Sequence, residues 1–345
     1  MRTLEFRNPA WIPCRIVLSP VTWQRYREQL AGLVGRFPML FGDEDLHKTG
    51  YDDFPPVYRH GYFRDNWGCL WHTERDGLEG QVVENPLEDW AALAHFKPPD
   101  ATVQSERGDR DWIRIKTEIE EKKRHGLLTV GDGERLFDRL YFLRGFENLM
   151  IDIATDDPNL TLLVEMLTDY ELSLAKKWLA LGVDAITFHT DIGTQQSLMI
   201  SPDKFRRHIK PMFKEIFATC RQAGVHVLLS SDGCLLEIVD DLVECGVSLH
   251  DPQLRANTMA GIAAAYKGKL CVNLDLDRQM FPFCRPGEIK NQVKEAVETL
   301  ADPAGGLMLL GSIWGDDVPL ENIEALCQSF TLWLGTGMAR GERNG

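Results

Sequence analysis

The second half of the chain carries five short apolar segments that each end in polar residues. They are VDAITFHTD (183–191), VHVLLSSDG (225–233), VSLHDPQ (247–253), LCVNLDLDR (270–278) and LMLLGSIWGDD (307–317). Each is rich in leucine or β-branched residues, and stretches with helical periodicity separate them. This alternation is typical of strands that are buried on both faces of a parallel sheet. The sequence therefore predicts an α/β fold.

Start and stop signals bound the helices between these segments. Ser201 is a predicted N-cap, and Gly246 is predicted to end a helix that runs from about Cys234 to Cys245. Further helices are predicted from about Pro286 to Leu300 and from Leu320 to Leu334. Strands and helices alternate at spacings of roughly 25 to 40 residues, which suits a (β/α)8 barrel or a doubly wound sheet.

A single barrel with an N-terminal elaboration fits the length of 345 residues. We predict residues 1–120 as the elaboration packed on the barrel, 121–338 as the remainder of the barrel and 339–345 as a disordered tail, all in one domain. Asp76-Gly77 predicts the turn of a short hairpin. The segment TVGDGERLF (129–137) lacks the third glycine of a phosphate-binding loop, which favours a tight turn after a strand.

Charge and composition exclude several partners. The formal net charge of −14 argues against nonspecific nucleic-acid binding and against binding to anionic membranes, since both require clustered cations. No segment is long and apolar enough to span a membrane, and the N-terminus lacks an apolar signal region, so we expect a cytoplasmic protein. The eight cysteines form no CxxC pair, which favours small buried hydrophobic residues.

The polar residues that follow the apolar segments are the candidate active site. In a parallel barrel the carboxyl ends of the strands surround one mouth, so these residues are expected to converge. They are His189, Asp191, Ser231, Asp232, His250, Asp251, Asn273, Asp275, Asp277 and Ser312. Asp191, Asp232, His189 and His250 are predicted to be catalytic.

Imidazole and carboxylate side chains at these positions allow two kinds of chemistry. The side chains of His189, Asp191 and His250 are of the types that coordinate zinc, manganese or iron. These three residues are therefore the predicted ligands of any divalent metal. The same groups suit acid–base catalysis, because crowded carboxylates raise one another's pKa and a histidine between them stays charged. The alternative is structural, and for Asp232, which precedes a helix, a helix cap is the favoured interpretation.

Other residues are predicted to bind substrate. Asp65 is a catalytic candidate beside Trp67 and Trp71, whose alternative role is to cover one end of the barrel. Arg144 either holds a substrate carboxylate or pairs with Glu147. The set predicted to contact substrate is Trp67, Tyr141, Arg144, Ser231, Gln253, Asn273, Asp275, Arg278 and Ser312.

Seven motifs occur in an order that resembles the uroporphyrinogen decarboxylase superfamily. They are RDNWGCLW, PLEDW, LYFLRGFENLM, GVDAITFHTDIGT, LMISPDKFRRHIKPMFKEI, SSDGCLLEIVDDLVECGV and PLENI, spread from about residue 60 to 330. More closely, they resemble the branch of cobamide-dependent methyltransferases and its uncharacterised relatives. The resemblance implies a (β/α)8 barrel with its pocket at the carboxyl face.

The chain departs from both chemistries that the resemblance implies. Zinc-dependent methyltransferases of the family carry histidine and cysteine ligands where this chain has Ser230, Asp232 and Ser312, so no zinc site of the family type is expected. The arginines that grip the substrate of the decarboxylases are not reproduced in CRIVLSPVTWQRY (14–26). Asp65 and Tyr141 match the aspartate and tyrosine of the decarboxylases.

These observations leave three functional hypotheses. The preferred one is methyl transfer, the O-demethylation of a small methylated compound in partnership with a separate corrinoid protein that carries the cobamide. The second is a lyase that decarboxylates a carboxylated or tetrapyrrole substrate. The third is a non-catalytic barrel that binds a corrinoid or tetrapyrrole.

Overall fold

A computed structural model describes residues 1–105 and 108–334, with twelve strands in those ranges. The strands are β1 (Cys14–Leu18), β2 (Gly61–Arg64), β3 (Leu70–Thr73), β4 (Gln81–Glu84), β5 (Gln104–Ser105), β6 (Gly108–Asp109), β7 (Val130–Arg135), β8 (Ala185–His189), β9 (His226–Ser230), β10 (Leu249–His250), β11 (Cys271–Asp275) and β12 (Leu307–Ile313). Seven of them form one sheet in the order β1-β12-β11-β10-β9-β8-β7.

Helices follow the strands along the chain. They are α1 (Pro20–Arg36), α2 (Asp43–Leu46), α3 (Trp112–Arg124), α4 (Phe137–Arg144), α5 (Phe146–Thr155), α6 (Pro158–Leu181), α7 (Pro202–Lys204), α8 (Lys210–Gln222), α9 (Val239–Cys245), α10 (Leu254–Asn257), α11 (Met259–Tyr266), α12 (Pro286–Leu300) and α13 (Leu320–Thr331). The strands pair in parallel and alternate with helices, which confirms the predicted α/β class of the (β/α)8 type. An ideal barrel of this type has eight strands, and the sheet in the described residues has seven.

The chain divides into two compact units. Unit 1 comprises residues 1–61, 73–80 and the chain from Asp251 onward. Its strands β1 and β11 both pair in parallel with β12, so that Leu18 lies opposite Ile313 and Asp275 lies opposite Leu310. Helix α13 packs against α1 and α12. This register aligns the carboxyl ends of the three strands.

Unit 2 comprises Tyr62–His72 and Gln81–His250. Strands β7, β8, β9 and β10 pair in parallel, with Arg135 opposite His189 and His189 opposite Ser230. Its core includes a run of buried aromatic rings from Phe188 through Phe217 and Phe213 to Phe205, with centroid separations of 5.1 to 5.7 Å. Each such ring contributes roughly 1.5–3 kcal/mol of burial free energy, so packing fixes the strand ends that carry polar residues.

The helix signals read from the sequence are largely confirmed. Ser201 caps α7 by accepting a hydrogen bond from the backbone N–H of Lys204, and Gly246 ends α9 with φ of 100°. Helix α12 has the predicted bounds. The helix predicted from about Cys234 begins later, because Leu236–Ile238 forms a 3-10 turn before α9. Among the described residues, no helix has both the length and the apolar run that crossing a bilayer requires.

The tight turn predicted at TVGDGERLF is wrong, because Val130–Arg135 is strand β7. Its glycines permit close packing rather than a turn. A Cβ atom at Gly131 would lie 2.6 Å from the indole of Trp178, and one at Gly133 would lie 2.6 Å from the ring of Phe188. Glycine is needed here so that the strand can approach these two rings.

The N-terminal segment contributes strands to each of the three sheets in the described residues. Cys14–Leu18, within the predicted elaboration, is a strand of the parallel sheet. The predicted hairpin is confirmed as the antiparallel pair β3 and β4, and Asp76 and Gly77 lie in the connection between them. The predicted tail at residues 339–345 lies outside the described residues.

Candidate active site

The strands of unit 2 end in residues that sequence analysis singled out. His189 ends β8, Ser230 ends β9 and His250 ends β10, and parallel registration places the three residues at the same edge of these strands. Asp191 and Asp232 follow two residues after β8 and β9. The structure therefore groups these residues at the carboxyl edge of unit 2, where α/β folds bind ligands.

Two glycines bring the loops after β8 and β9 together. Gly233 has φ of 90°, and a Cβ atom on it would lie 2.3 Å from the carbonyl carbon of Gly193. This close approach lets the backbone N–H of Asp232 donate to Oδ1 of Asp191 at 3.0 Å. The side chain of Asp232 itself is exposed. The backbone N–H of Asp232 therefore positions Asp191.

Asp191 forms an acid pair with Asp138, a residue that the sequence analysis missed. The Asp138 carboxylate is buried and accepts a hydrogen bond from the backbone N–H of Asp191 at 2.5 Å. Burial raises the pKa of Asp138, and the nearby Arg135 opposes that rise through a contact of 3.4 Å. Burial, followed by the charge of Asp138, raises the pKa of Asp191. This pair holds a proton to higher pH than an isolated aspartate would.

The two histidines differ in environment. His189 is half-exposed, and its Nε2 lies 3.5 Å from Oδ1 of Asp132. His250 is fully buried, and burial lowers its pKa to about 3 against the opposing effect of a hydrogen bond with the Ser231 backbone. The expectation that a histidine among the carboxylates stays charged is therefore wrong for His250, because desolvation outweighs attraction.

Asp65 lies in a buried ion-pair network. Its Oδ1 accepts hydrogen bonds from the backbone N–H groups of Trp67 and Cys69, and its Oδ2 accepts from Nε1 of Trp71 at 2.9 Å. Nη1 of the fully buried Arg139 also donates to Oδ2 at 3.2 Å. Four donors hold this carboxylate, which supports a positioning role for Asp65 rather than direct chemistry.

The same network explains where Trp67 lies. Its buried ring packs 4.9 Å below the guanidinium of Arg139 and 4.6 Å from the ring of Tyr170. Arg139 also pairs with Glu134 at 3.4 Å, and the backbone N–H of Glu134 donates to the fully buried Glu171. Burial, followed by the charge of Glu134, raises the pKa of Glu171 well above the usual value.

Helix α4 carries Tyr141 and Arg144, which were both predicted to contact substrate. Arg144 is buried, and its Nε donates to Oδ2 of Asp152 at 2.7 Å, while Nη1 donates to the carbonyls of Leu87 and Glu88. It therefore pairs with Asp152 and not with Glu147. The ring of Tyr141 contacts its aromatic neighbours Phe137, Phe142 and Phe146. The structure thus places Arg144 in a buried ion pair and Tyr141 in an aromatic cluster.

Unit 1 groups a second set of predicted residues. Asp275 ends β11, and its Oδ1 accepts a hydrogen bond from Oγ of Ser312 at 2.8 Å. Nη1 of Arg278 lies 3.4 Å from Oδ2 of the same carboxylate. Gln253 forms a parallel bridge with Asp275. Asn273 is half-buried within β11, which places it before the strand end rather than at it.

The donor set does not fit a zinc centre. Within unit 2, the matching positions offer the hydroxyl of Ser230 and the exposed carboxylate of Asp232, and Ser312 of unit 1 already donates to Asp275. Thiolate or imidazole ligands, which zinc prefers, are missing at all three positions. Across residues 1–105 and 108–334, no three His, Cys, Asp or Glu side chains are grouped as metal ligands.

Parallel strands that alternate with helices and end in titratable residues define a (β/α)8-type fold with its polar residues at the carboxyl edge. The family model described as uroporphyrinogen decarboxylase (URO-D) matches residues 137–332, which is more than half of the chain. The chain therefore belongs to this family, as the sequence motifs predicted.

Comparison with solved structures gives one likeness over nearly the whole chain and a weaker one over part of it. A methyltransferase from Methanosarcina mazei aligns over 96% of this chain and 96% of its own, with a TM-score of 0.62 and 16% sequence identity. Dihydropteroate synthase from Xanthomonas albilineans aligns over 57% of this chain and 66% of its own, with a TM-score of 0.35 and 12% identity. No curated protein matches the sequence significantly.

Proposed function

We propose that this protein is a methyl-transferring enzyme that removes a methyl group from the oxygen of a small methylated compound. The observation that supports the proposal is the acid pair of Asp138 and Asp191, whose pKa values are both raised at the carboxyl edge of unit 2. Cleaving a methyl ether leaves a basic alkoxide or phenoxide oxygen. A carboxylic acid that keeps its proton can neutralise that oxygen as it leaves.

In the proposed step Asp191 acts as the general acid. The bond between the methyl carbon and oxygen breaks, the electron pair stays on oxygen, and the acid proton of Asp191 is transferred to that oxygen. A corrinoid held by a separate protein would supply the reduced cobalt that accepts the methyl group. Burial, followed by the charge of Asp138, raises the pKa of Asp191, and the N–H of Asp232 fixes the orientation of the Asp191 carboxyl group.

The family match favours one second candidate, decarboxylation of a carboxylated or tetrapyrrole substrate. In that reaction the bond to the carboxylate carbon breaks, carbon dioxide leaves, and the remaining carbon takes a proton. The same acid pair could provide that proton. The two candidates differ in substrate and in the need for a corrinoid partner, so an assay can separate them.

The experiment is a pair of incubations with the purified full-length protein. One contains a reduced corrinoid protein and a panel of methoxylated compounds, and the formation of methylcobamide is followed by absorbance. The other contains uroporphyrinogen, and the loss of carboxyl groups is followed by mass spectrometry. We expect methylcobamide to form in the first. Turnover only in the second would establish the lyase, and no turnover in either would favour a non-catalytic binding protein.

Metal content tests the mechanism separately. Because the donors at Ser230, Asp232 and Ser312 do not fit zinc, we derive no step through a zinc ion. Dialysed protein is expected to hold far less than one zinc per chain by elemental analysis. Any other divalent ion that remains is predicted to depend on His189, Asp191 or His250, so its content should fall in His189→Ala or His250→Ala. Stoichiometric zinc that persists in both variants would contradict this prediction.

A further inference from the structure

We propose that a pocket in unit 1 binds a small organic cation that carries a quaternary ammonium group. The proposal is independent of the methyl-transfer function, because it assigns a binding site and no catalytic step. The pocket has a volume of about 350 Å³ and lies beyond the carboxyl ends of β11 and β12. Its lining includes Arg278, Phe283, Trp314, Gly315 and Asp317, which all belong to unit 1.

Two aromatic side chains line this pocket and remain exposed. Phe283 is 87% exposed and Trp314 is 48% exposed, although large apolar side chains are more often buried. The face of an aromatic ring attracts a cation, and the ring of tryptophan does so most strongly. Methyl groups on the cation would also cover apolar surface that otherwise faces water. The two rings therefore suit a methylated ammonium group.

The segment that carries Trp314 is held from inside the fold. Oγ1 of the fully buried Thr22 lies 3.2 Å from the carbonyl oxygen of Ile313 and 2.8 Å from that of Gly315. These two residues flank Trp314 in the chain. The backbone of Trp314 is therefore fixed on both sides, although its ring is half-exposed.

Phe283 lies in a turn that is held in the same way. Nδ2 of the buried Asn322 donates to the carbonyls of Phe281 and Cys284 at 2.7 and 2.9 Å. The backbone N–H of Phe283 donates to the carbonyl of Met280 at 3.0 Å. Because both exposed rings project from fixed backbone, a ligand that binds between them has little of the chain to order.

The charges of the lining leave one carboxylate for a ligand. Arg278 is paired with the more buried Asp275, whose Oδ2 lies 3.4 Å from Nη1, so these two charges offset each other. The neighbouring acid Asp316 is paired with Arg75 at 3.2 Å. The carboxylate of Asp317 is exposed and pairs with no cation among the described residues. The remaining negative charge therefore favours a cation beside the two rings.

Gly315 allows the carboxylate of Asp317 to lie against the backbone. A Cβ atom on Gly315 would overlap Oδ1 of Asp317, and Gly315 does not have a positive φ. Glycine is therefore required here by the neighbouring carboxylate and not by the backbone conformation. An alanine at this position would displace the carboxylate without removing its charge.

The lining also favours a quaternary ammonium group over a primary one. A primary ammonium group has three N–H donors and is strongly hydrated, so it loses hydrogen bonds to water when it meets an aromatic wall. A quaternary ammonium group has no N–H donor and needs only the rings and one counter-charge. A volume of about 350 Å³ is near the lower end of the range for small-molecule sites, which suits a small cation.

Calorimetric titration of the full-length protein tests the class of ligand. The probes are choline, its uncharged carbon isostere 3,3-dimethylbutanol, the anion 3,3-dimethylbutanoate and the primary ammonium ion of ethanolamine. Choline should bind about threefold to thirtyfold more tightly than 3,3-dimethylbutanol, because only choline gains from the rings and the carboxylate as a cation. Choline that fails to bind, or that binds no more tightly than any one of the other three probes, would overturn the proposal.

Variants locate the site. Asp317→Asn and Trp314→Leu should each weaken choline binding about threefold or more. Asp317→Asn should leave the binding of 3,3-dimethylbutanol unchanged, because that probe has no charge. The matched controls are Asp53→Asn and Trp11→Leu, at an exposed acid and a half-exposed tryptophan of unit 1 outside the pocket lining. Equal effects of test and control variants would place the cation elsewhere and overturn the proposal.

A glycine variant tests the position of the carboxylate while every charge and both rings remain. Gly315→Ala should weaken choline binding about twofold or more, because the Asp317 carboxylate must move. Gly287→Ala is the control, since no atom lies within 4 Å of its Cβ position. Unchanged choline affinity in Gly315→Ala would contradict the role of Asp317. Choline binding without methyl transfer would refute the proposed function alone, whereas methyl transfer without choline binding would refute this proposal alone.

Discussion

The carboxylate of Asp138 accepts a hydrogen bond from the backbone N–H of Asp191, so the first helix after β7 and the loop after β8 hold two acids side by side. In the sequence, Asp191 directly follows an apolar segment and is therefore recognisable as a candidate, whereas Asp138 lies within helix α4 and is not. Burial and mutual repulsion raise the pKa of Asp191, and Arg135 limits the effect. Acid–base chemistry in unit 2 is therefore expected to depend on both residues.

Replacing Asp191 by its amide should abolish most turnover. Asp191→Asn keeps the shape of the side chain but removes the titrating proton, so the rate should fall by about 10²–10⁴-fold while substrate binding is retained. Steady-state kinetics on a genuine substrate should show a lower kcat with little change in binding affinity. Glu298→Gln, at an exposed acid that pairs with Lys294, is the control and should leave turnover unchanged. Full turnover in Asp191→Asn would return this residue to a structural role.

The partner variant Asp138→Asn makes a distinct prediction about pH. A general acid works in its protonated form, so the rate falls as pH rises through its pKa. Removing the Asp138 charge removes one cause of the raised pKa of Asp191. The alkaline limb of the pH–rate profile should therefore move to lower pH in Asp138→Asn. A limb that stays in place or moves upward would show that Asp138 does not tune the acid.

Periodicity and capping signals were enough to predict the α/β class, the cap at Ser201 and the bounds of α12, because these depend on neighbouring residues. The sequence predicts a turn where strand β7 lies, since its glycines are explained only by Trp178 on α6 and Phe188 on β8, which are both distant in sequence. Asp138 was missed for the same reason: nothing in the local sequence shows that the Asp191 backbone will reach it. Likewise, the local sequence could not show that Arg144 would pair with Asp152.

His250 should make the protein less stable as pH falls below about 6.5. Its folded pKa is lowered to about 3, so the unfolded chain binds a proton that the folded chain excludes. This contribution to stability is present above the unfolded pKa of about 6.5 and decreases toward the folded pKa, with a slope that approaches about 1.4 kcal/mol per pH unit. Urea unfolding between about pH 5 and 7.5 measures this slope above the range where most carboxylates titrate.

A variant pair assigns that slope to its source. His250→Gln should flatten the pH dependence of the unfolding free energy, whereas His95→Gln, at an exposed histidine, should not. If the buried variant folds poorly, the NMR titration of the His250 ring in the unmodified protein gives the same information. An ordinary histidine titration near pH 6.5 would show that the ring is not desolvated.

The ion pair between Asp65 and Arg139 should be important for stability. Asp65→Asn leaves the fully buried guanidinium of Arg139 with less compensating charge, and such a loss typically costs about 3–5 kcal/mol of unfolding free energy. Glu84→Gln breaks the exposed pair of Arg64 and Glu84 and should have little effect. Denaturant titration compares the two. Similar small losses in both variants would show that Asp65 is not an essential partner of Arg139.

Gly233→Ala should disturb the active-site loops of unit 2 without touching a titratable group. The new Cβ atom would lie 2.3 Å from the Gly193 backbone, so the loops after β8 and β9 must separate and the hydrogen bond from the Asp232 N–H to Asp191 must lengthen. That hydrogen bond lowers the pKa of Asp191, so its loss should raise the pKa and move the alkaline limb of the pH–rate profile to higher pH. Overpacking should also lower the unfolding free energy by about 1–3 kcal/mol.

The matched control is Gly268→Ala, where φ is also positive but the space around the Cβ position is open. It should share the backbone strain and leave the pH limb in place; the same pH profile in both variants would rule out a positioning role for the contact between the loops.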